Sequence, residues 1–192
     1  MPVLDQQVSA IPDELKTYPQ WICWIAYHGD TLPHDPCQRD RADLREPNTW
    51  RTFDEALAAF QEYTYDGIGF VFSEESPYFG ISLGNAYNPE TETVEPWAQP
   101  FVQRINSYTE ISPSGTGLHI IARGHVPKPI GRWDNKTKRK VTIRDHHGYF
   151  PFTGNHLVGT PQTIEERQEA ITQLYQSAGY PRKTGHPVAS TS

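Results

Sequence analysis

Ser107-Tyr108-Thr109-Glu110-Ile111-Ser112-Pro113-Ser114-Gly115-Thr116-Gly117-Leu118-His119-Ile120-Ile121-Ala122 leads into a tight glycine loop and out of it along a strand. The turn residues are concentrated in Pro113 to Gly117, and glycine reaches left-handed backbone without steric cost. Leu118 to Ala122 is apolar and β-branched apart from His119, which predicts a strand. Loops of this kind can offer backbone N–H groups to an anion. A lone glycine loop is a weak signal, so its neighbours carry the argument.

Upstream, Gly67 to Phe72 and Tyr78 to Gly84 predict two strands joined by a turn at Ser73 to Pro77, read together as a hairpin. Pro96 to Asn106 predicts a helix with Trp97, Phe101 and Ile105 at helical spacing. Thr52 and Glu55 form a capping pair for a helix whose apolar face is Ala56, Leu57, Phe60 and Tyr63. Gln20 to Tyr27 is aromatic and β-branched, a buried strand. A short helix with Pro12 at its start covers Ile11 to Tyr18. His28 to Asn48 is polar, with three prolines and no periodicity, and predicts a loop.

Downstream, Val141 to Phe152 is extended, with a turn at His146-His147-Gly148. Thr163 and Glu166 predict the cap of a last helix reaching about Ser177 and ending near Gly179. Residues 1–10 are expected to form a flexible leader, 11–179 one domain and 180–192 a disordered tail. The order predicts a mixed α/β fold of the α+β kind, not a doubly wound sheet.

Composition narrows the class. A 192-residue chain can bury a real core, and five Trp, ten Tyr and eight Phe supply large apolar surfaces. No apolar run is long enough to span a membrane, and the start has no signal-peptide pattern. Cys23 and Cys37 form no CxxC pair, which argues against zinc and for a cytoplasmic setting. Trp21 and Trp24 are expected in the core. Asp145-His146-His147 is expected to be a polar turn rather than a metal site.

The net charge is −6, yet it is unevenly spread. Arg123, Lys128, Arg132, Lys136, Lys138, Arg139, Lys140 and Arg144 lie close together against one acid, Asp134, on an otherwise acidic chain. Such a segment is a footprint for nucleic-acid phosphate, or a solvated hairpin. Trp133, inside it, is a candidate for stacking on bases.

Three segments together resemble the primase-polymerase domains of the archaeo-eukaryotic primase superfamily. They are Asp66 to Phe72 with Gly80 to Gly84; Ser107 to His119; and Val141 to Asp145 with Tyr149 to Gly154. The resemblance implies a primase-polymerase fold: an antiparallel sheet like that of an RNA-recognition module, with flanking helices and an N-terminal α/β lobe. It also implies two divalent cations held by Asp-x-Asp and a third carboxylate, with the loop and its His gripping nucleotide phosphates.

Residue by residue, Ser114, Gly115, Gly117 and His119 match as nucleotide-binding positions. The carboxylate positions fall on Ser82, Gly84 and Thr142, Arg144 stands where the family has Tyr, and a basic position falls on Gly148. The resemblance with these departures predicts a catalytically degenerate protein of a plasmid, virus or mobile element. It would bind DNA or a nucleoside triphosphate, with no metal cofactor and no polymerase activity. Any helicase would come from another protein. Two alternatives stand beside this. One is an active primase or polymerase using Mg or Mn on displaced carboxylates, drawn from Glu74, Glu75, Asp134 and Asp145. The other is a protein-interaction module with no nucleotide site.

Overall fold

A computed structural model describes residues 7–134 and 136–177. Strands β1 (Trp21–Tyr27), β2 (Asp30–His34), β3 (Gly67–Phe72) and β11 (Gly148–Phe152) form one sheet in the order β11-β3-β1-β2. Strands β4 (Tyr78–Gly84), β7 (Thr109–Ile111), β8 (Leu118–Arg123), β9 (Ile130–Trp133) and β10 (Lys140–Arg144) form a second, in the order β7-β8-β4-β10-β9. Every pairing in both sheets is antiparallel. A small ribbon of β5 (Tyr87–Asn88) and β6 (Thr93–Val94) stands apart. The mixed α/β class with antiparallel sheets is as the sequence predicts.

The first sheet packs with α1 (Asp13–Lys16) and α2 (Phe53–Glu62) around an aromatic core. Trp21 is fully buried, donates from Nε1 to the Leu15 carbonyl at 3.0 Å, and meets Phe53, Phe70 and Phe152 edge-on. Burying one such indole removes roughly 200 Å² from water, worth about 5 kcal/mol before entropy is counted. The second sheet lays Phe79, Ile81, Leu83, Leu118, Ile120 and Ile143 in a core with residues of α3 (Gln99–Ile105) and α4 (Gln168–Ser177).

Several local expectations are corrected. β3 and β4 are not a hairpin. Each is central in its own sheet, with both edges taken, and Ser73 to Pro77 carries the chain across. The predicted loop after Tyr27 contains β2, closed on β1 by His28 and Gly29, both at positive φ as a two-residue hairpin turn requires. Pro33 fits there because β2 is an edge strand. The Thr52–Glu55 capping box forms in full, and Ala56, Leu57 and Phe60 of the expected apolar face pack on the core with Phe53 and Ala59, while Tyr63 is exposed beyond the helix end. α3 begins at Gln99, leaving Trp97 in the preceding turn.

The Thr163–Glu166 pair does not cap α4, which starts only at Gln168. Thr163 bonds Glu165, and Glu166 is bridged to Arg123. The N-terminal lobe is also not wholly N-terminal, because β11 completes its sheet. Residues 7–9, within the expected leader, are helical; Val8 packs on the first core and the Gln7 carbonyl backs onto Gly154. The expectations for residues 1–6 and 178–192 lie outside the described residues. Among the described residues no helix is long and apolar enough to cross a membrane.

Candidate functional site

Strand register assembles a single row across the second sheet. Glu110 on β7 faces His119 on β8, His119 faces Ser82 on β4, and Ser82 faces Thr142 on β10. Directly opposed residues of antiparallel strands project to the same side, so all four share one face. That face looks towards the first sheet. Gly80, two residues before Ser82, lies under two rings; a Cβ there would sit 2.5 Å from both Phe72 and Phe150. Ser82, Gly84 and Thr142 are half-buried and Lys140 is exposed, so the space between the sheets opens at that end.

The glycine loop borders the open end. Gly115 sits at φ 74°, where other residues are strained. Gly117 is required for space, since a Cβ would lie 2.6 Å from Ser112 Oγ and 2.9 Å from the Leu83 carbonyl. The hydroxyls of Ser112, Ser114 and Thr116 form a chain with spacings of 3.0 and 3.3 Å. The Thr116 carbonyl accepts from the amides of Ala86 and Tyr87, fastening the loop beside the end of β4.

His119 is 6% exposed. Its ring stacks on Phe150 at 4.8 Å, and Nδ1 lies 3.1 Å from the Pro151 carbonyl. A carbonyl only accepts, so Nδ1 carries the proton. Glu110 is fully buried and takes three hydrogen bonds, from the amides of Thr153 (2.9 Å) and Gly154 (3.0 Å) and from the Tyr108 hydroxyl (3.0 Å). Burial, and then the charge of Glu110, push the Tyr108 phenol far above its ordinary pKa. Glu110 was missed in the sequence reading, although it and His119 stand equally far from the middle of the loop, as residues paired across a hairpin must.

The basic residues do not form one patch. Arg123 faces Tyr78, and six residues along β4 separate it from Gly84, roughly 20 Å. Arg123 is ion-paired with Glu14 of α1, a structural role. Arg132 faces Val141, on the side of the helices. Arg139 lies 5.4 Å over the Trp97 ring, and with Arg132, Asp134 and Phe101 it lines an open groove of about 530 Å³ on that side. The Lys128 carbonyl accepts from the Tyr175 hydroxyl of α4. Lys136 and Lys138 belong to the β9–β10 loop, where Asp134 accepts from the Lys136 amide and the Lys138 carbonyl accepts from Asn85. Trp133 pairs with Lys140 in the register, and its side chain lies outside the described residues. On β10, Lys140 and Arg144 share the face of Ser82 and Thr142 by strand alternation, while Arg123 meets that face only at the far end of β4.

The residues of the row do not fit a pair of hard dications, which need several anionic oxygens. Ser82 and Thr142 offer neutral hydroxyls, Gly84 offers no side chain, and Glu110 is fully buried with three hydrogen bonds already made. The displaced carboxylates lie elsewhere. Asp145 accepts from the Val126 amide at 3.0 Å and meets His146 Nδ1 at 2.6 Å. Asp134 closes the hairpin loop, and Glu74 and Glu75 lie in the connection before β4, at its other end from Gly84. Among the described residues, no cluster of three or more His, Cys, Asp or Glu is arranged to hold a metal ion.

No family model matches the chain. It is 35% identical over 149 residues to the "DNA Primase-polymerase" of Nitratiruptor phage NrS-1. The match covers 76% of this chain and 20% of the phage protein, so the chain spans about a fifth of that relative's length. A matched stretch this long cannot miss the middle of the chain, where the Glu110–His119–Ser82–Thr142 row stands. Through that stretch this protein carries a primase-polymerase domain and belongs to the primase-polymerase family.

Proposed function

We propose that the domain binds DNA or nucleotide in a replication setting and does not itself join nucleotides. One observation carries the reading. The only carboxylate in the row, Glu110, already accepts three hydrogen bonds, and the other positions of the row are a histidine, a serine and a threonine. Nucleotidyl transfer needs paired cations to neutralise charge developing on the phosphates. Placing such cations against neutral hydroxyls leaves their charge uncompensated, at a cost of several kcal/mol.

The loop hydroxyls of Ser112, Ser114 and Thr116, together with His119, are the groups we assign to phosphate. The protein serves a plasmid, virus or other mobile element from the cytoplasm, alongside a helicase or another replication protein. The family match supports the replication setting.

The test is template-dependent primer extension by the full chain with Mg²⁺ and with Mn²⁺, run beside a titration of single-stranded DNA and of nucleoside triphosphate. Binding without extension is expected. Extension by the unaltered chain would show that the carboxylates are replaced by other ligands. Absence of binding to either probe would leave a protein-interaction module as the reading.

A further inference from the structure

The face of β10 that shares the row carries Lys140, Thr142 and Arg144. Opposite them on β4 stand Gly84, Ser82 and Gly80. Two cations thus flank the Ser82–Thr142 hydroxyl pair, each about 6–7 Å from Thr142 along the strand. Both are given room by glycine. A Cβ on Gly84 would press on Lys140 Cβ at 3.0 Å. A Cβ on Gly148, at the start of β11, would collide with Arg144 Cδ at 2.5 Å, so the arginine stem lies across the bare backbone of the first sheet.

Every other carboxylate near these strands is engaged. Asp145 is turned to Val126 and His146, and Glu110 to Thr153, Gly154 and Tyr108. Among the described residues, the side chains of Lys140 and Arg144 enter no hydrogen bond or ion pair. A half-buried arginine with no anionic partner, laid against the Gly148 backbone two residues along β10 from neutral hydroxyls, is a site short of an anion. Arginine offers a planar fork of donors to phosphate, and lysine a mobile point charge.

We propose that Lys140 and Arg144 supply, from the protein itself, the positive charge for a run of phosphates lying along the Ser82–Thr142 pair. Phosphate binding here is therefore independent of divalent metal. The inference rests on the proposed binding function and specifies its ligand chemistry. The phosphates are those of a nucleoside triphosphate or successive phosphodiesters of a single strand. Gly148 is a positioning residue, because it admits the arginine stem.

The experiment titrates the full chain with dATP and, separately, with labelled (dT)12, each in EDTA and in Mg²⁺. Affinity for at least one probe is expected to agree within about threefold between the two conditions. Lys140→Ala and Arg144→Ala should each weaken it about tenfold, the loss of one charge-assisted contact. Arg104→Ala, on α3 at the opposite face of the second sheet, should change it less than about twofold. Gly148→Ala should weaken binding as Arg144→Ala does, with the circular dichroism spectrum kept. Should that variant unfold, Arg144→Lys, which retains charge but loses the fork, must fall between wild type and Arg144→Ala.

Binding by dATP identifies the triphosphate as the ligand, and binding by (dT)12 alone identifies the phosphodiester chain. Affinity that appears only with Mg²⁺, or that survives both alanine substitutions unchanged, overturns the inference while the binding function stands. No binding of either probe in either condition removes the binding function as well.

Discussion

Glu110 and His119 stand directly opposite each other on β7 and β8, with 3.9 Å between Oε1 and Nδ1, and neither depends on the other for its hydrogen bonds. The glutamate is held by two amides and a phenol, and the histidine by the Pro151 carbonyl. Glu110 therefore has structural work to do behind the cleft, and the Pro151 bond orients the His119 ring. Glu110→Gln would turn a carboxamide N–H₂ towards donors. It should destabilise the fold by about 2–3 kcal/mol, a fall in Tm of roughly 5–10 °C for a domain of this size. Thermal unfolding followed by circular dichroism measures it.

The two glycines of the loop should respond differently. Gly117→Ala places a methyl against the Leu83 backbone carbonyl, which cannot move aside, and should cost about 1–3 kcal/mol. Gly115→Ala meets no atom within 4 Å and pays only for its positive φ, about 1 kcal/mol. Denaturant melts of both variants should rank them in that order.

Introducing carboxylates at the row should change its ligand chemistry. Ser82→Asp, Gly84→Asp and Thr142→Glu together place three anionic groups on neighbouring strands. Calorimetric titration with Mn²⁺ should show binding in the triple variant and none in the unaltered chain. Lys140 is in the way of the second change, since a Cβ at residue 84 approaches its Cβ to 3.0 Å. Lys140→Gly added to the triple variant removes that Cβ together with a positive charge, and should tighten metal binding.

The capping box of α2 has a defined pH signature. Hydrogen bonds from the Thr52 backbone, then its side chain, hold the Glu55 carboxyl below the ordinary glutamate value of 4.5. The folded state therefore binds this proton less readily than the unfolded one. The resulting stability is fully present above the ordinary value and is lost as pH falls through the lower, folded one. Glu55→Gln should lose part of the cap, about 1 kcal/mol at neutral pH. It should also show a shallower decline in stability between neutral and acid pH, measured by urea midpoints.

The capping box was legible because its two residues lie three apart and their chemistry is local. The strands Trp21–Tyr27 and Leu118–Arg123 were legible from β-branched and aromatic runs. β2 was not, because Pro33 and a polar composition disguise an edge strand whose proline needs no ladder partner. The separation of β3 from β4 was hidden for another reason. Adjacent strands usually pair, and only the burial of both edges of each shows that these do not. The Thr163–Glu166 pair has the right spacing for a cap, but its groups are drawn into contacts with Glu165 and Arg123. Of the site, Ser82, Thr142 and His119 were legible from their motifs and do fall into one row. Glu110 was not, and Arg123, grouped with the basic segment, stands at the far end of β4 in an ion pair with Glu14. Long-range register decides such matters, and it is not written in any single segment.

The return of β11 to the first sheet has a consequence for synthesis on the ribosome. β3 waits with one edge unpaired while some seventy-five residues of the other sheet are made, and is closed only when Phe152 emerges. The nascent chain must carry that open hydrogen-bonding edge throughout, so the first sheet cannot be cut out as a contiguous fragment, and a chaperone that shields strand edges would have its longest task here.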